Sequence, residues 1–574
     1  MAASVARGMA MDAIGDGGVG RGRAHAERCC HPSTPSRCPV AAYLQHPDDR
    51  HRRAGAGVAL PIWRPSLERA DAGTPGGELM STIWDVIVVG AGVGGLSAAI
   101  HLAAAGRRVL LLEQNPFPGG KLAQQFRDGY RWDCGPSVIT MRHVLEQLFA
   151  TAGRRMDDYL TLQPVTPYTR YFYPDGTQLD LSGDLPRVLP QLRRLSEQDV
   201  EGYLRFLAYT ARLYRVVAPS FIYGEPPSWG SLFRQPLGNI RYLDGWRTMS
   251  RAIQSFRVSP YLHQLLCRFA TYVGSDPYRA PATLNVIAHV ELNEGVWYPE
   301  GGVYRIVEAL TRLAEELGVR IECSRAVERL EIANEKVQGV VCADGTLERA
   351  RAVIANVDVT SIYSAWLSDH SATARAYVRK LQSYEPSCSG FIMLLGIRGC
   401  HPQLAHHNIF FSSDYRREFH EIFVEGVPPT EPTIYVAITS RSTPQDAPSG
   451  GENWFVLVNA PPLGSSWDWK SMAESYAERV LERLAAYGVD VRAHVAVRQV
   501  MTPYDIARAT GAWRGALYGA ASNSPWAAFR RPHNRVSAVR GVYLAGGSVH
   551  PGGGVPLALL SGRLASRLLI EDGY

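Results

Sequence analysis

Three glycines, Gly90, Gly92 and Gly95, stand in the spacing G-x-G-x-x-G with Gly94 among them, and Glu113 closes the apolar run that comes next. Residue types in this order can grip a dinucleotide. Gly90 permits a tight turn, Gly92 lets backbone approach a pyrophosphate, Gly95 allows a helix to pack closely on a strand, and Glu113 accepts hydrogen bonds from ribose hydroxyls. A helix opening at these glycines adds unpaired N–H groups and the positive end of its dipole for the phosphates. An acid at 113, rather than a base suited to a 2′-phosphate, argues against NADP. Near the other end, Gly546 and Gly547 precede His550 and the run Gly552, Gly553, Gly554, Val555, Pro556. The triple glycine has the φ freedom for a sharp turn, and proline suits the first turn of a helix carried by Leu557 to Leu569.

The elements that must hold these groups are legible around them. In "WDVIVVGAGVGGLSAAIHLAAAGRRVLLLEQ" the pattern predicts a buried strand over Val86 to Val89, a helix over Leu96 to Ala105 and a second buried strand over Val109 to Leu112. That is a βαβ unit. An alternating stretch, "TRYFYPDGTQLDLSGD", an aromatic-rich helical region from about 190 to 290, and the helix and strand in "YRIVEALTRLAEELGVRIECSRAVERLEI" follow, and the chain closes on a strand, a glycine turn and a helix. Both ends and a middle segment are therefore expected in one sheet. The expected fold is α/β: a Rossmann-type domain, discontinuous over residues 80–150, 295–365 and 530–574, with a substrate-binding α+β and helical region over 151–294 and 366–529. Residues 1–79 are rich in Gly, Ala, Arg, Pro and His and poor in apolar periodicity, and are expected to be a disordered or non-native extension, with the working chain beginning at Met80.

Composition narrows the classes. With 574 residues, 46% hydrophobic and 20% charged, the chain is long enough for several cores and is neither collagenous nor wholly disordered. A net charge of +6, not gathered into a basic stripe, argues against a nucleic-acid partner. The nine cysteines show neither a paired framework nor a CxxC spacing, so a reducing cytoplasm is expected. His401, His406 and His407 lack further ligands at a sensible spacing, and no metal is expected. Asp133, between Trp132 and Gly135, reads as a turn residue bonding to backbone before it reads as an acid or base. Most aromatics between 190 and 290, such as Tyr203, Phe206, Trp229 and Phe233, have the spacing of core.

Past Glu113, "EQNPFPGGKLAQQF" places Gly119, Gly120 and Lys121, and "GYRWDCGPSV" repeats the Gly/Pro punctuation where a simple dehydrogenase would proceed to another helix and strand. The segment resembles the flavin amine oxidase superfamily, in which the glycine pair and its basic neighbour lie along the FAD pyrophosphate and ribityl chain. "RFATYVGSDPYRAPATL", "GVWYPEGGVYRIVEALTRLAEELGVRI", "AVIANVDV", "LAHHNIFFSSDYRREFHEIF" and "YLAGGSVHPGGGVPLALLSGRLAS" extend the resemblance over residues 83 to about 570 and narrow it to the bacterial phytoene desaturase family of carotenoid biosynthesis. The resemblance implies FAD as cofactor, Val327 touching its adenine end through backbone, and Asn356 near the edge of the same domain. The helix after Pro556 would aim its positive end at the flavin pyrimidine ring. His550 would fall close to the isoalloxazine as a candidate for proton transfer, although a lone histidine beside a turn is more often a hydrogen-bonded structural residue.

The activity implied is FAD-dependent desaturation of an acyclic carotenoid, of the phytoene or neurosporene type or at the 3,4-position of a 1-hydroxycarotenoid. A hydride would leave for the flavin, a proton would follow, and reduced FAD would pass its electrons to oxygen or a quinone. The ending "GGSVHPGGGVPLALLSG" looks more like members acting on coloured carotenoids, which include oxygenases of terminal methyl groups. A carotenoid cis-trans isomerase and, more distantly, a flavin amine oxidase are the alternatives. A water-insoluble substrate implies peripheral association with the cytoplasmic membrane, through aromatics lining a tunnel or dipping into the bilayer.

Overall fold

A computed structural model describes residues 83–226, 242–464 and 467–574. The expected extension over 1–79, and Trp229 and Phe233, lie outside these residues. The chain enters through β1 (Trp84–Val89), α1 (Val93–Ala104) and β2 (Val109–Leu112), then the hairpin β3 (Gln124–Arg127) and β4 (Tyr130–Asp133). Strands β5 (Leu162–Pro164), β6 (Thr169–Phe172) and β7 (Gln178–Leu181) lead to the helical region with α2 (Glu197–Val217). There follow β8 (Trp297–Pro299), α3 (Arg305–Glu316), β9 (Arg320–Glu322) and the meander β10 (Val327–Ala333), β11 (Lys336–Cys342), β12 (Leu347–Ala355). The second half runs through β13 (Ser389–Arg398), β14 (His407–Phe410), β15 (Ile434–Ala437), β16 (Gly451–Ala460), α4 (Trp469–Ala486), β17 (Val495–Met501), β18 (Val542–Leu544) and α5 (Val555–Glu571).

One sheet gathers strands from the start, middle and end of the chain. Its parallel part has the order β9, β2, β1, β12, β18, and β12 continues outward to pair antiparallel with β11. The apolar run of β1 is continuous because both faces are covered: Val86 and Val88 pack with α1, α3 and α5, while Ile87 and Val89 pack with the meander and the helical segments after it. Helix α1 starts at Val93, three residues ahead of the expected Leu96, so Gly94 and Gly95 sit in its first turn. Close packing outweighs their poor helix propensity, since a Cβ on Gly95 would fall 2.0 Å from the Gly90 carbonyl oxygen.

The second sheet, in the order β17, β13, β16, β15, β14, β6, β7, is antiparallel except between β14 and β6. Its strands alternate. Phe391, Met393, Val456 and Val458 meet α4, whereas Ile392, Leu394, Phe455 and Leu457 face the β3–β4 hairpin with Tyr130 and Trp132. In the helical region α2 is capped by Ser196, whose hydroxyl accepts from the Gln198 amide, and buries Tyr203 and Phe206 as core. Trp246, by contrast, is 67% exposed.

Candidate cofactor and substrate site

The chain's two glycine-rich turns meet because α1 and α5 cross in close contact. A Cβ on Gly562 would fall 2.2 Å from the Gly94 carbonyl oxygen, and Ser97 Oγ donates to the Leu559 carbonyl at 2.7 Å. Asn356, just past the end of β12, lies at the centre. Its Nδ2 donates to the Gly90 carbonyl at 3.2 Å, and Cβ atoms on Gly92, Gly94 or Gly546 would come within 2.8, 2.7 and 2.6 Å of its amide atoms. Asn356 is half-buried just past the carboxyl end of β12, at the rim of the parallel sheet. Strand β12 lies inside the parallel sheet between β1 and β18, so the residue at its carboxyl end emerges where the glycine turns converge. Helices α1 and α5 both begin at a glycine, Gly92 and Gly554, with no side-chain cap on either. Their first N–H groups and positive dipole ends are left for an anion. A Cβ on Gly554, at φ +103°, would meet nothing within 4 Å, so this turn opens on free space. Gly119 and Gly120 close the loop, with Gly119 N donating to the Ala91 carbonyl at 2.9 Å.

Glu113 is 4% exposed; one carboxylate oxygen accepts from Ala91 N at 2.7 Å, and the other from Asn115 N and Nδ2 at 2.9 and 2.8 Å. A carboxylate offers about four lone-pair sites, so one acceptor position is left for a ribose hydroxyl. The backbone continues to the neighbouring strands: Arg325 N donates to the Glu113 carbonyl at 2.8 Å, and Val327 opens β10 two residues on. Together the glycine cradle, the two uncapped helices and this carboxylate fit an FAD-type dinucleotide.

Lys121 reaches across to the segment at Leu517. Its Nζ donates to the Leu517 carbonyl at 2.7 Å, and desolvation holds its ammonium below the usual lysine range, offset by the charge of Asp358. At the C-terminal turn Arg531 Nη1 donates to the Gly547 carbonyl at 3.0 Å, burial pulls its guanidinium down to about 10, and among the described residues it has no carboxylate partner. Arg531 was missed at the sequence level. Its sequence neighbours are Arg530 and Pro532, and only the fold sets it against the turn.

His550 is a tether in this geometry. It is 2% exposed, its Nε2 bonds the Gly224 carbonyl at 3.0 Å, and burial lowers the ring to about 4, so it is neutral at physiological pH. Its own carbonyl accepts from Asn534 Nδ2 at 3.0 Å and Ser561 Oγ at 2.8 Å. Asp133, the last residue of β4, accepts from Val303 N at 3.0 Å and Tyr304 N at 3.1 Å and is ion-paired with Arg131 at 2.7 Å. His401 pairs with Glu452 at 2.8 Å, and among the described residues no cluster of His, Cys, Asp or Glu is arranged to hold a metal ion.

The face of the second sheet that carries Tyr435 and Leu457 is only partly covered, both side chains being half-buried. Tyr272, Tyr435 and Tyr518 are half-buried, and burial pushes each hydroxyl above the usual tyrosine range; the Tyr272 hydroxyl donates to Glu291. A Cβ on Gly553 would strike the Tyr518 ring at 2.6 Å. A Cβ on Gly390 would lie 2.9 Å from Leu457 and 3.6 Å from Leu517. Leu457 is half-buried although β16 is an interior strand. The lining beside the turn is thus aromatic and aliphatic.

Residues 93–570 match the family described as flavin containing amine oxidoreductase. The chain is 37% identical over 494 residues to a 4,4'-diapolycopene oxygenase of Methylomonas sp, covering 85% of this chain and 98% of that one. It is 37% identical over 486 residues to a 4,4'-diaponeurosporene oxygenase of Staphylococcus aureus, covering 83% and 96%. Among solved structures the fold is similar to that of an oxidoreductase from Methanosarcina mazei, at a TM-score of 0.56 and 18% identity over 83% of this chain and 98% of that one. It is similar also to putrescine oxidase bound to putrescine, at 0.56 and 15% over 86% and 99%. Matched along most of its length, the chain belongs to the flavin-containing amine oxidoreductase family and is an FAD-dependent oxidoreductase.

Proposed function

We propose that this protein oxygenates the terminal methyl carbon of an acyclic carotenoid. The observation that carries this is the 37% identity to a 4,4'-diapolycopene oxygenase over 98% of that relative's length. Oxygenation thereby moves ahead of the desaturation expected from the sequence, which would act on the same class of molecule. When bound, FAD would supply the two-electron chemistry and dioxygen the added oxygen atom, the methyl group and dioxygen giving an aldehyde and water. The glycine turns and the starts of α1 and α5 would hold the anionic parts of the cofactor, and Lys121 and Arg531 would balance negative charge. Leu457, Leu517 and Tyr518 would exclude water and align a long apolar chain beside the C-terminal turn.

A substrate so insoluble is best collected from a bilayer, and we propose peripheral association with the cytoplasmic membrane. Trp246 and Trp526, 67% and 50% exposed, offer interfacial aromatic surface. Among the described residues no helix is long and apolar enough to cross a membrane.

The test is expression in hosts supplying phytoene, neurosporene, a 1-hydroxycarotenoid or 4,4'-diapolycopene in turn, with products read by absorption and mass. An oxygen-bearing terminus is the expected result. Loss of hydrogen alone would return the assignment to a desaturase, geometric isomers alone to an isomerase, and peroxide formed from polyamines to an amine oxidase.

A further inference from the structure

Tyr435 carries a chain of polar groups on the partly covered face of the second sheet. It stands on β15, opposite Leu457, which in turn pairs with Ile392, so the three share one face of the sheet. Its Oη lies 2.6 Å from Ser137 Oγ and 2.8 Å from His407 Nδ1. Ser137 follows the turn at Gly135, where a Cβ would fall 1.9 Å from the Lys121 carbonyl oxygen, so the segment that carries Ser137 packs on the cofactor loop. His407, at the other end, is fully buried, and its Nε2 has no partner among the described residues.

Three donors serve two contacts. Ser137 and Tyr435 each carry one hydroxyl proton, and neutral His407 carries one ring proton. An unpartnered buried N–H is rarer than an unpartnered acceptor, which puts the ring proton on Nδ1, donated to Tyr435 Oη. Either hydroxyl of the Ser137–Tyr435 contact can donate, and the arrangement in which Ser137 donates to the second lone pair of Tyr435 leaves the tyrosine proton for a ligand. Burial keeps the Tyr435 hydroxyl far above its ordinary range and the His407 ring well below its own, so the chain is uncharged. A site serving hydrocarbon alone gains nothing from a spare neutral donor, because an unpaired polar group there is costly.

Given the function proposed above, we infer that Tyr435, supported by Ser137 and His407, determines specificity by hydrogen-bonding a neutral oxygen already present at one end of the carotenoid, an aldehyde or an alcohol. The two supporting residues position the tyrosine and need not touch the ligand. No bond is made or broken in this contact.

The experiment gives FAD-loaded protein an acyclic carotenoid and its terminal aldehyde in parallel, and measures kcat/KM for wild type, Tyr435→Phe and Ser137→Ala. In Tyr435→Phe the ratio of kcat/KM for aldehyde over hydrocarbon should fall about tenfold, with a smaller fall in Ser137→Ala, whatever loss the two substrates share. A ratio within about twofold of wild type in both variants overturns the inference. Should Tyr435→Phe fail to retain FAD, Ser137→Ala decides alone. Wild type that carries FAD but turns over neither compound defeats the proposed function and this contact with it, whereas turnover with an unchanged ratio defeats the contact only.

Discussion

At the scale of single residues, the site depends on what glycine leaves out. A Cβ on Gly92 would meet the Asn356 amide at 2.8 Å and nothing else closer than 3.9 Å, whereas one on Gly94 would also lie 3.1 Å from the Ala558 carbonyl oxygen and the Gly546 Cα. Side chains can yield and backbone cannot. Gly94→Ala is therefore expected to purify with at least about tenfold less FAD per protein, read by flavin absorbance, at an overpacking cost of about 1–3 kcal/mol. Gly92→Ala should be destabilised comparably alone but less so in an Asn356→Ala background, a coupling that thermal unfolding of the four combinations would detect. Glu113→Gln keeps the shape but removes the charge that receives the ribose, so FAD affinity should drop by about tenfold in equilibrium titration.

At the scale of elements, a buried carboxylate sets a pH dependence. Glu418 lies in the short helix Tyr415–His420, where one oxygen accepts from Ser412 Oγ at 3.0 Å and Thr433 Oγ1 at 2.6 Å and the other has no partner among the described residues. Burial raises it from 4.5 to about 7 despite those bonds. Between these values the folded protein holds a proton that the unfolded chain releases. The stabilisation is thus complete below pH 4.5 and is lost as pH rises through about 7. Glu418→Gln should abolish that decline, leaving the variant more stable than wild type above pH 7 by on the order of 2–3 kcal/mol, and no more stable at pH 4; melting temperatures across this range test it. A second element-level joint is Asn534, whose Nδ2 reaches the carbonyls of Leu544 and His550 at 3.1 and 3.0 Å and Ser561 Oγ at 3.0 Å. It ties β18, the C-terminal turn and α5 together.

At the scale of the whole molecule, the cofactor site exists because the first and last helices of the described chain touch. Gly562 is the contact point, its missing Cβ leaving room for the Gly94 carbonyl. Gly562→Ala should push α5 off α1 and weaken FAD retention and melting temperature together, while far-ultraviolet dichroism stays close to wild type. A protein begun at Met80 is expected to load FAD to the same stoichiometry as the full chain, because the elements of the cradle all lie within residues 84–571. Equal FAD content in the two proteins checks it.

Local chemistry was written in short stretches of sequence. The glycine spacing, the strand before it, Glu113 and the proline-started closing helix could each be read in place, because a tight turn, a close approach and a ribose contact each demand a residue type within a few positions of its neighbours. The course of β12 through the sheet was another matter. Strand order and register are settled by which faces can be buried together, and no window of sequence states them. That is why Asn356 lies against Gly90, why Arg531 faces the turn, and why His550 bonds the Gly224 carbonyl. The same reason hid Ser137, Tyr435 and His407, which come from three distant segments and acquire a shared proton chain only once the second sheet is laid over the cofactor loop.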